Sequence, residues 1–165
     1  MKTCPYCGSE INQPLAPYYC SFCEMGITEE DIQEKGKRKD FLPEVQPTLQ
    51  DLSKNTQELI RLSLIELVLL LKLARKERAN LYKQRYIFIQ AIKQGAEEYR
   101  EGEQYTFIEY EKMTRKCFVL ENLIRERMGY YPTFITNTFI RKLADRMIAS
   151  LQKEMVIRPP KHSKI

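Results

Sequence analysis

Cysteine is the residue type whose number and spacing point to chemistry. Four of the five lie in the first 23 positions, as Cys4-Pro5-Tyr6-Cys7 and Cys20-Ser21-Phe22-Cys23, with twelve residues between the pairs. Two residues between ligands let the backbone turn tightly and aim its N–H groups at the sulfurs. Two such turns complete the tetrahedral S4 shell that zinc prefers. The expectation is one structural Zn2+ held by Cys4, Cys7, Cys20 and Cys23, with no position left for a substrate. Two disulfides, a redox-active CxxC pair and a rubredoxin-like iron centre are the competing uses of the same thiols. The N-terminus carries no apolar leader pointing to an oxidising compartment, and no βαβ pattern surrounds the pairs, which disfavours the first two.

Local residues suit the first pair. Pro5 fixes φ inside the turn, and Gly8 accepts a positive φ just past the second ligand. Cys4-Pro5-Tyr6-Cys7-Gly8 resembles the recurrent CPxCG knuckle of the zinc-ribbon and treble-clef families. The second pair departs from that form, because Glu24 follows Cys23 and glycine comes only at Gly26. Thr28-Glu29-Glu30-Asp31 reads as a capping box opening a short helix that stops at Gly36, which leans toward a treble clef. The resemblance covers about 30 of the 165 residues and implies a small metal-centred fold. Such modules serve nucleic-acid binding or protein docking.

The rest of the chain must be read as the frame for that site. Residues 37–47 are rich in charge and proline and read as a linker. From residue 48 onward glycine appears only at Gly95, Gly102 and Gly129, while leucine, isoleucine, lysine, arginine and glutamate dominate, a helical composition. The expected fold is mainly α: a zinc module over 1–36, a linker over 37–47 and an all-α bundle over 48–165. Helix starts are expected at Thr48 or Asn55, followed by one long helix to about Gln94 or two divided near Ala79-Asn80. Ile60, Leu64, Leu67 and Leu71 recur at helical spacing and form either a core seam or a homodimer seam. Gly95 to Tyr105 reads as a connection, with Thr106 opening the next helix. Tyr110, Met113, Cys117, Leu120 and Ile124 are that helix's seam, and Gly129 is its stop. The last helix is expected to be capped by Thr133 or Asn137. Ile140, Leu143, Ala144, Met147, Ile148, Leu151 and Met155 form its stripe, and a basic tail follows Pro159-Pro160.

Charge divides the chain. Residues 1–47 carry five Lys/Arg against eight Asp/Glu, and residues 48–165 carry 22 against 14. The head is therefore acidic, more so with four thiolates on a dication, and the body is basic. Phosphate backbones repel an acidic module, so the head is expected to dock on protein, with Tyr18, Tyr19, Phe22, Met25 and Ile27 as its apolar contacts. On the body, Lys72, Arg75, Lys76, Lys83 and Lys93 fall on one side of a helix beside Tyr82 and Tyr86, a candidate face for DNA or RNA. A last-helix helix-turn-helix is the weaker nucleic-acid reading.

Enzyme classes are disfavoured. The single histidine, His162, removes most His-dependent hydrolases, and no HExxH, GxSxG, P-loop or GxGxxG pattern occurs. Leu59–Leu73, interrupted by Arg61, Glu66 and Lys72, is too short and too charged to span a membrane. The reading is a non-enzymatic, cytoplasmic regulator or adaptor with no small-molecule substrate. The alternative is a purely protein-directed scaffold or inhibitor, homodimeric through its leucine-rich helix.

Overall fold

The computed structural model describes residues 1–158. His162 and the expected Pro159-Pro160 stop with its basic tail lie outside the described residues. The chain divides into two compact units, Met1–Asp40 together with residues 144–158, and Phe41–Leu143. The stretch from Ala144 onward thus groups with the metal module, whereas the sequence boundaries assign it to the bundle.

The second unit is helical. Its first helix, α1 (Thr56–Ile60), is opened by Asn55, whose side chain accepts from the Glu58 N–H at 2.9 Å while Glu58 accepts from the Asn55 N–H at 2.8 Å. A second such box sits at Ser63, where the hydroxyl accepts from the Glu66 N–H and Glu66 accepts from the Ser63 N–H at 2.7 Å. It opens α2, a 30-residue helix from Leu64 to Lys93. Thr48 makes a third box, with Asp51, for a single 3-10 turn over Leu49–Ser53. The expected helix or helices over 48–94 therefore break at 61–63 rather than at Ala79-Asn80. Reciprocal caps satisfy orphan N–H groups where they occur, and nothing at Ala79-Asn80 competes with helix continuation. The carbonyls left at the break are also met, because Arg127 donates to the Ile60 oxygen at 2.6 Å and to that of Leu62.

The connection and its successor also differ from expectation. The helix α3 runs from Arg100 to Met128, so Gly102 is helical and Thr106 is a buried interior residue donating to the Gly102 carbonyl at 2.7 Å. Gly102 serves packing here. A Cβ at that position would lie 3.2 Å from Cζ of Phe88, so the missing side chain admits the aromatic ring. The stop at Gly129 is as expected: its φ is 83°, and its N–H donates to the Arg125 carbonyl at 2.8 Å.

The core joins these helices. Leu67, Val68, Leu70, Leu71 and Ala74 of α2, with Leu59 of α1, are fully buried against Cys117, Leu120 and Ile124 of α3. The candidate seam thus resolves inside the chain for Leu67 and Leu71, while Leu64 is half-buried and Ile60 is 52% exposed. Ile60 falls in the short α1, whose register is broken from that of α2. Cys117 is a buried seam residue, and burial pushes its thiol pKa up.

The last helix, α4, covers Asn137–Leu151. Its cap is Thr136, whose hydroxyl accepts from the Phe139 N–H at 3.1 Å, and not Thr133 or Asn137. Asn137 is occupied instead as the acceptor of the Lys72 ammonium. Ile140 and Leu143 pack half-buried against the core, no α4 residue is fully buried, and Met155 lies beyond the helix. Among the described residues no helix is long and apolar enough to cross a membrane.

Two substitutions test this account by chemical denaturation. Ser63→Ala should cost about 1 kcal/mol through loss of the cap. Leu71→Ala should cost about 2–5 kcal/mol through the cavity it leaves. Equal, negligible effects would show that neither the break nor the seam stabilises the unit.

Candidate metal centre

Residues 1–40 bury very little around themselves. Strand β1 (Lys2–Thr3) pairs antiparallel with β4 (Gln33–Glu34), and β2 (Tyr18–Cys20) pairs antiparallel with β3 (Met25–Ile27). Each cysteine pair sits beside one of these short ladders. After β1 the chain turns back on itself, with the Gly8 N–H donating to the Cys4 carbonyl at 3.0 Å and the Cys4 N–H to the Ser9 carbonyl at 2.9 Å. After β2 the Cys23 N–H donates to the Cys20 sulfur at 3.4 Å. That contact is the backbone-to-sulfur bond expected of such a turn.

The two turns share one backbone requirement. Gly8 has φ 73°, and Glu24, at the same place after the second pair, has φ 54°. The missing CPxCG glycine has thus not changed the conformation, and a glutamate bears the left-handed strain. One expected element is absent: Glu29–Asp31 form a single 3-10 turn, and Gln33–Glu34 then return as a strand beside β1. The expected helix from Thr28 to Gly36 does not form. Thr3 secures the returning strand, being fully buried, donating its hydroxyl to the Gln33 carbonyl at 3.2 Å and accepting from the Gly36 N–H at 3.0 Å.

The result is a cluster of four sulfurs, all within 4.8 Å of one another. Across the two pairs, Cys4 and Cys23 are 3.8 Å apart and Cys7 and Cys20 are 3.5 Å apart. These separations are far beyond a disulfide bond of about 2.04 Å, and all four cysteines are free thiols. A tetrahedral ion with metal–sulfur bonds of about 2.3 Å sets its sulfurs about 3.8 Å apart. The residues therefore fit a tetrahedral thiophilic ion, and Cys4, Cys7, Cys20 and Cys23 can hold one. Cys4 and Cys20 are buried beside Ile11, Tyr18 and Ile27, with Cys7 and Cys23 at the rim.

Electrostatics separate the four. The Cys7 thiol is lowered to about 6, chiefly by its hydrogen bond with the Ser9 side chain. The Cys23 thiol is pushed up to about 12, by desolvation first and then by the neighbouring sulfurs. Protein groups alone thus favour one thiolate and oppose the full set, and a dication reverses that balance.

Of the candidate docking residues, Tyr19, Phe22 and Met25 are exposed, Phe22 by 76%. Tyr18 and Ile27 are corrected: both are buried and form the module's small core. The strand period carries this division, since in β2 Tyr18 and Cys20 point inward and Tyr19 between them points out. Tyr6 and Leu15, exposed by 70% and 78%, join the surface set and were not singled out. Tyr6 lies between two ligands as Phe22 does, so the repeat of the motif was the signal for it.

The candidate basic face is divided as well. Arg75 donates to Glu121 and to the carbonyls of Pro132 and Thr133, each at 2.9 Å, and Lys72 binds Asn137. Lys76, Lys83 and Lys93 are exposed.

Two predictions follow from the cluster's geometry and charge. Metal capture displaces protons from thiols that are still protonated, so affinity rises with pH. Cys7 is lowered to about 6 and Cys23 pushed up to about 12, so capture must take a proton from Cys23 and affinity should rise between pH 7 and 8. Chelator competition across that range reads the slope, and a pH-independent affinity would contradict the four-thiol site. Glu24→Gly should stabilise the metal-loaded head by about 0.5–1 kcal/mol and Gly8→Ala should destabilise it by at least as much, as read by denaturation midpoints. Against known proteins, no family model, no curated protein and no solved structure matches the chain.

Proposed function

We propose that the chain is a non-enzymatic, cytoplasmic, zinc-containing adaptor that docks on a protein through its metal module and contacts nucleic acid through the basic side of α2. The observation that carries this reading is the exposed apolar rim on an acidic head. Phe22 and Tyr6 sit between ligands, and Tyr19 and Met25 lie on the adjoining ladder, all solvent-exposed on a unit whose own core is five residues. Large exposed side chains held rigidly by a metal turn suit protein docking, where aromatic anchors supply most of the binding energy. An S4 shell fills the coordination sphere of Zn2+, which supports a structural rather than a catalytic ion. Zinc is the ion of choice for this donor set and geometry.

Nucleic-acid contact is supported by a smaller set of cations than the sequence suggests. With Lys72 and Arg75 engaged within the chain, Lys76, Lys83 and Lys93 are the cations left for phosphates, with Tyr82 and Tyr86 exposed beside them. The salt dependence is therefore expected to be shallow. Neutralising three phosphates gives a log–log slope of about −2.7, against about −4.5 for all five cations.

Two measurements decide the matter. Zinc-loaded wild-type protein and its Phe22→Ser variant are used for affinity capture from the native host after nuclease treatment, with zinc content checked in both. Loss of the wild-type's captured proteins by the variant at unchanged zinc supports docking, and identical capture rejects it. Fluorescence anisotropy with a 20-base-pair duplex over a salt series reads the second contact. Absence of salt-dependent binding reduces the function to that of a protein-directed scaffold.

A further inference from the structure

The rim exposed by the metal module is aromatic, and no cation of the chain covers it. Phe22 and Tyr6 are exposed by 76% and 70%, and Tyr19 by 49%. Elsewhere the chain seats cations on its rings. The Lys2 ammonium lies 4.3 Å from the centroid of Tyr18, and the Arg85 guanidinium 4.2 Å from that of Phe107. Among the described residues no cation stands over Tyr6, Tyr19 or Phe22. Each of these rings offers the negative face that attracts an arginine or lysine.

Charge around the rim has a single sign. From Thr3 to Glu34 the sequence holds six acids (Glu10, Glu24, Glu29, Glu30, Asp31, Glu34) and no lysine, arginine or histidine. Among the described residues only Asp31 of this set is ion-paired, with Lys39. Glu10, Glu24, Glu29 and Glu30 are exposed. Glu24 directly follows the turn that carries Phe22, and Glu10 is bridged to Thr3, the residue before the turn that carries Tyr6. The cations flanking this segment are engaged or placed elsewhere. Lys2 donates to the Tyr18 hydroxyl, and Arg38 donates to the Lys153 carbonyl at 2.7 Å. The Lys35 N–H donates to the Met1 carbonyl at 3.0 Å, which puts Lys35 at the end of the β1–β4 ladder away from Cys4.

Resting on the docking role given to the head, we propose that its partner is an arginine-rich protein segment. Its guanidinium groups stack on the Phe22, Tyr6 and Tyr19 rings and pair with Glu24 and Glu10. Arginine suits this surface better than lysine, because a planar guanidinium stacks on a ring and pairs with a carboxylate at once. Charge selects against the other occupants. Nucleic-acid phosphates and anionic lipid headgroups carry the sign of the rim, and a second head would repeat it. An uncharged apolar partner would desolvate these carboxylates without supplying a counter-charge.

Fluorescence anisotropy of the zinc-loaded full chain with labelled octa-arginine, octa-lysine and octa-glutamate peptides tests this. Octa-arginine should bind, octa-lysine should bind about 3-fold more weakly or worse, and octa-glutamate should not bind. Raising salt from 50 to 500 mM should weaken octa-arginine binding about 10-fold or more. The combined Glu10→Gln, Glu24→Gln, Glu29→Gln and Glu30→Gln variant, and separately Phe22→Ser, should each raise its Kd about 10-fold at unchanged zinc content. Absence of octa-arginine binding overturns the proposal, as does octa-lysine binding equally well. Binding that neither variant weakens also overturns it and assigns the peptide to acids elsewhere on the chain. A wild type that self-associates in sedimentation equilibrium, and that both variants dissociate, overturns it in favour of the basic helix of a second copy. Capture from the nuclease-treated native host separates this inference from the docking role beneath it. Proteins lost with Phe22→Ser, yet kept by the four-glutamine variant and not displaced by octa-arginine, leave docking standing and overturn the arginine-rich partner. Capture unchanged in both variants overturns docking itself.

Discussion

Four sulfurs within 4.8 Å of one another are the constraint on which the N-terminal unit depends. Ionised, they repel; protonated, they cohere only weakly. The apolar residues around them, Ile11, Tyr18 and Ile27, are too few to hold residues 1–40 in shape. A dication held among them would turn the repulsion into attraction and make binding free energy into folding free energy. The short ladders, the left-handed residues after each pair and the outward placement of Phe22 all follow from bringing the two cysteine pairs to one point.

The helical unit rests on a different principle. Its stability comes from leucines of α2 packed on Cys117, Leu120 and Ile124, and its boundaries come from side chains that satisfy backbone groups. Asn55, Ser63 and Thr136 each accept from an N–H at a helix start, and Arg127 closes the gap between α1 and α2 from the far side of the core. One arginine side chain thereby links the end of α3 to the break that sets the register of α2.

The clustering of the four cysteines was legible because CxxC spacing suits coordination geometry and little else competes with it. The seam of α3 was legible for a similar reason: period 3.6 fixed it from Tyr110 to Ile124. Boundaries were harder. Ser63-x-x-Glu66 has the form of a capping box but lies inside a leucine-rich run, and the continuous apolar pattern hid it. Gly102 looked like a connection because the ring of Phe88 that makes a glycine useful there is fourteen positions away in sequence. Lys72 and Arg75 looked like free cations for the same reason, since their acceptors at Asn137, Glu121, Pro132 and Thr133 come from later in the chain. Tyr18 and Tyr19 could have been separated on strand alternation alone.

The grouping of residues 144–158 with the metal module bears on how the chain is made. Arg38 donates to the Lys153 carbonyl at 2.7 Å, and a Cβ at Gly8 would lie 3.2 Å from Cε of Met155. More than a hundred residues separate these partners in sequence. During synthesis the four cysteines emerge first and can load their metal early, but Arg38 and Gly8 wait for their neighbours until the helical unit has already been made. The metal module is thus started first and completed last, and a chain truncated before residue 144 would strip these contacts from the head and cut α4 short as well.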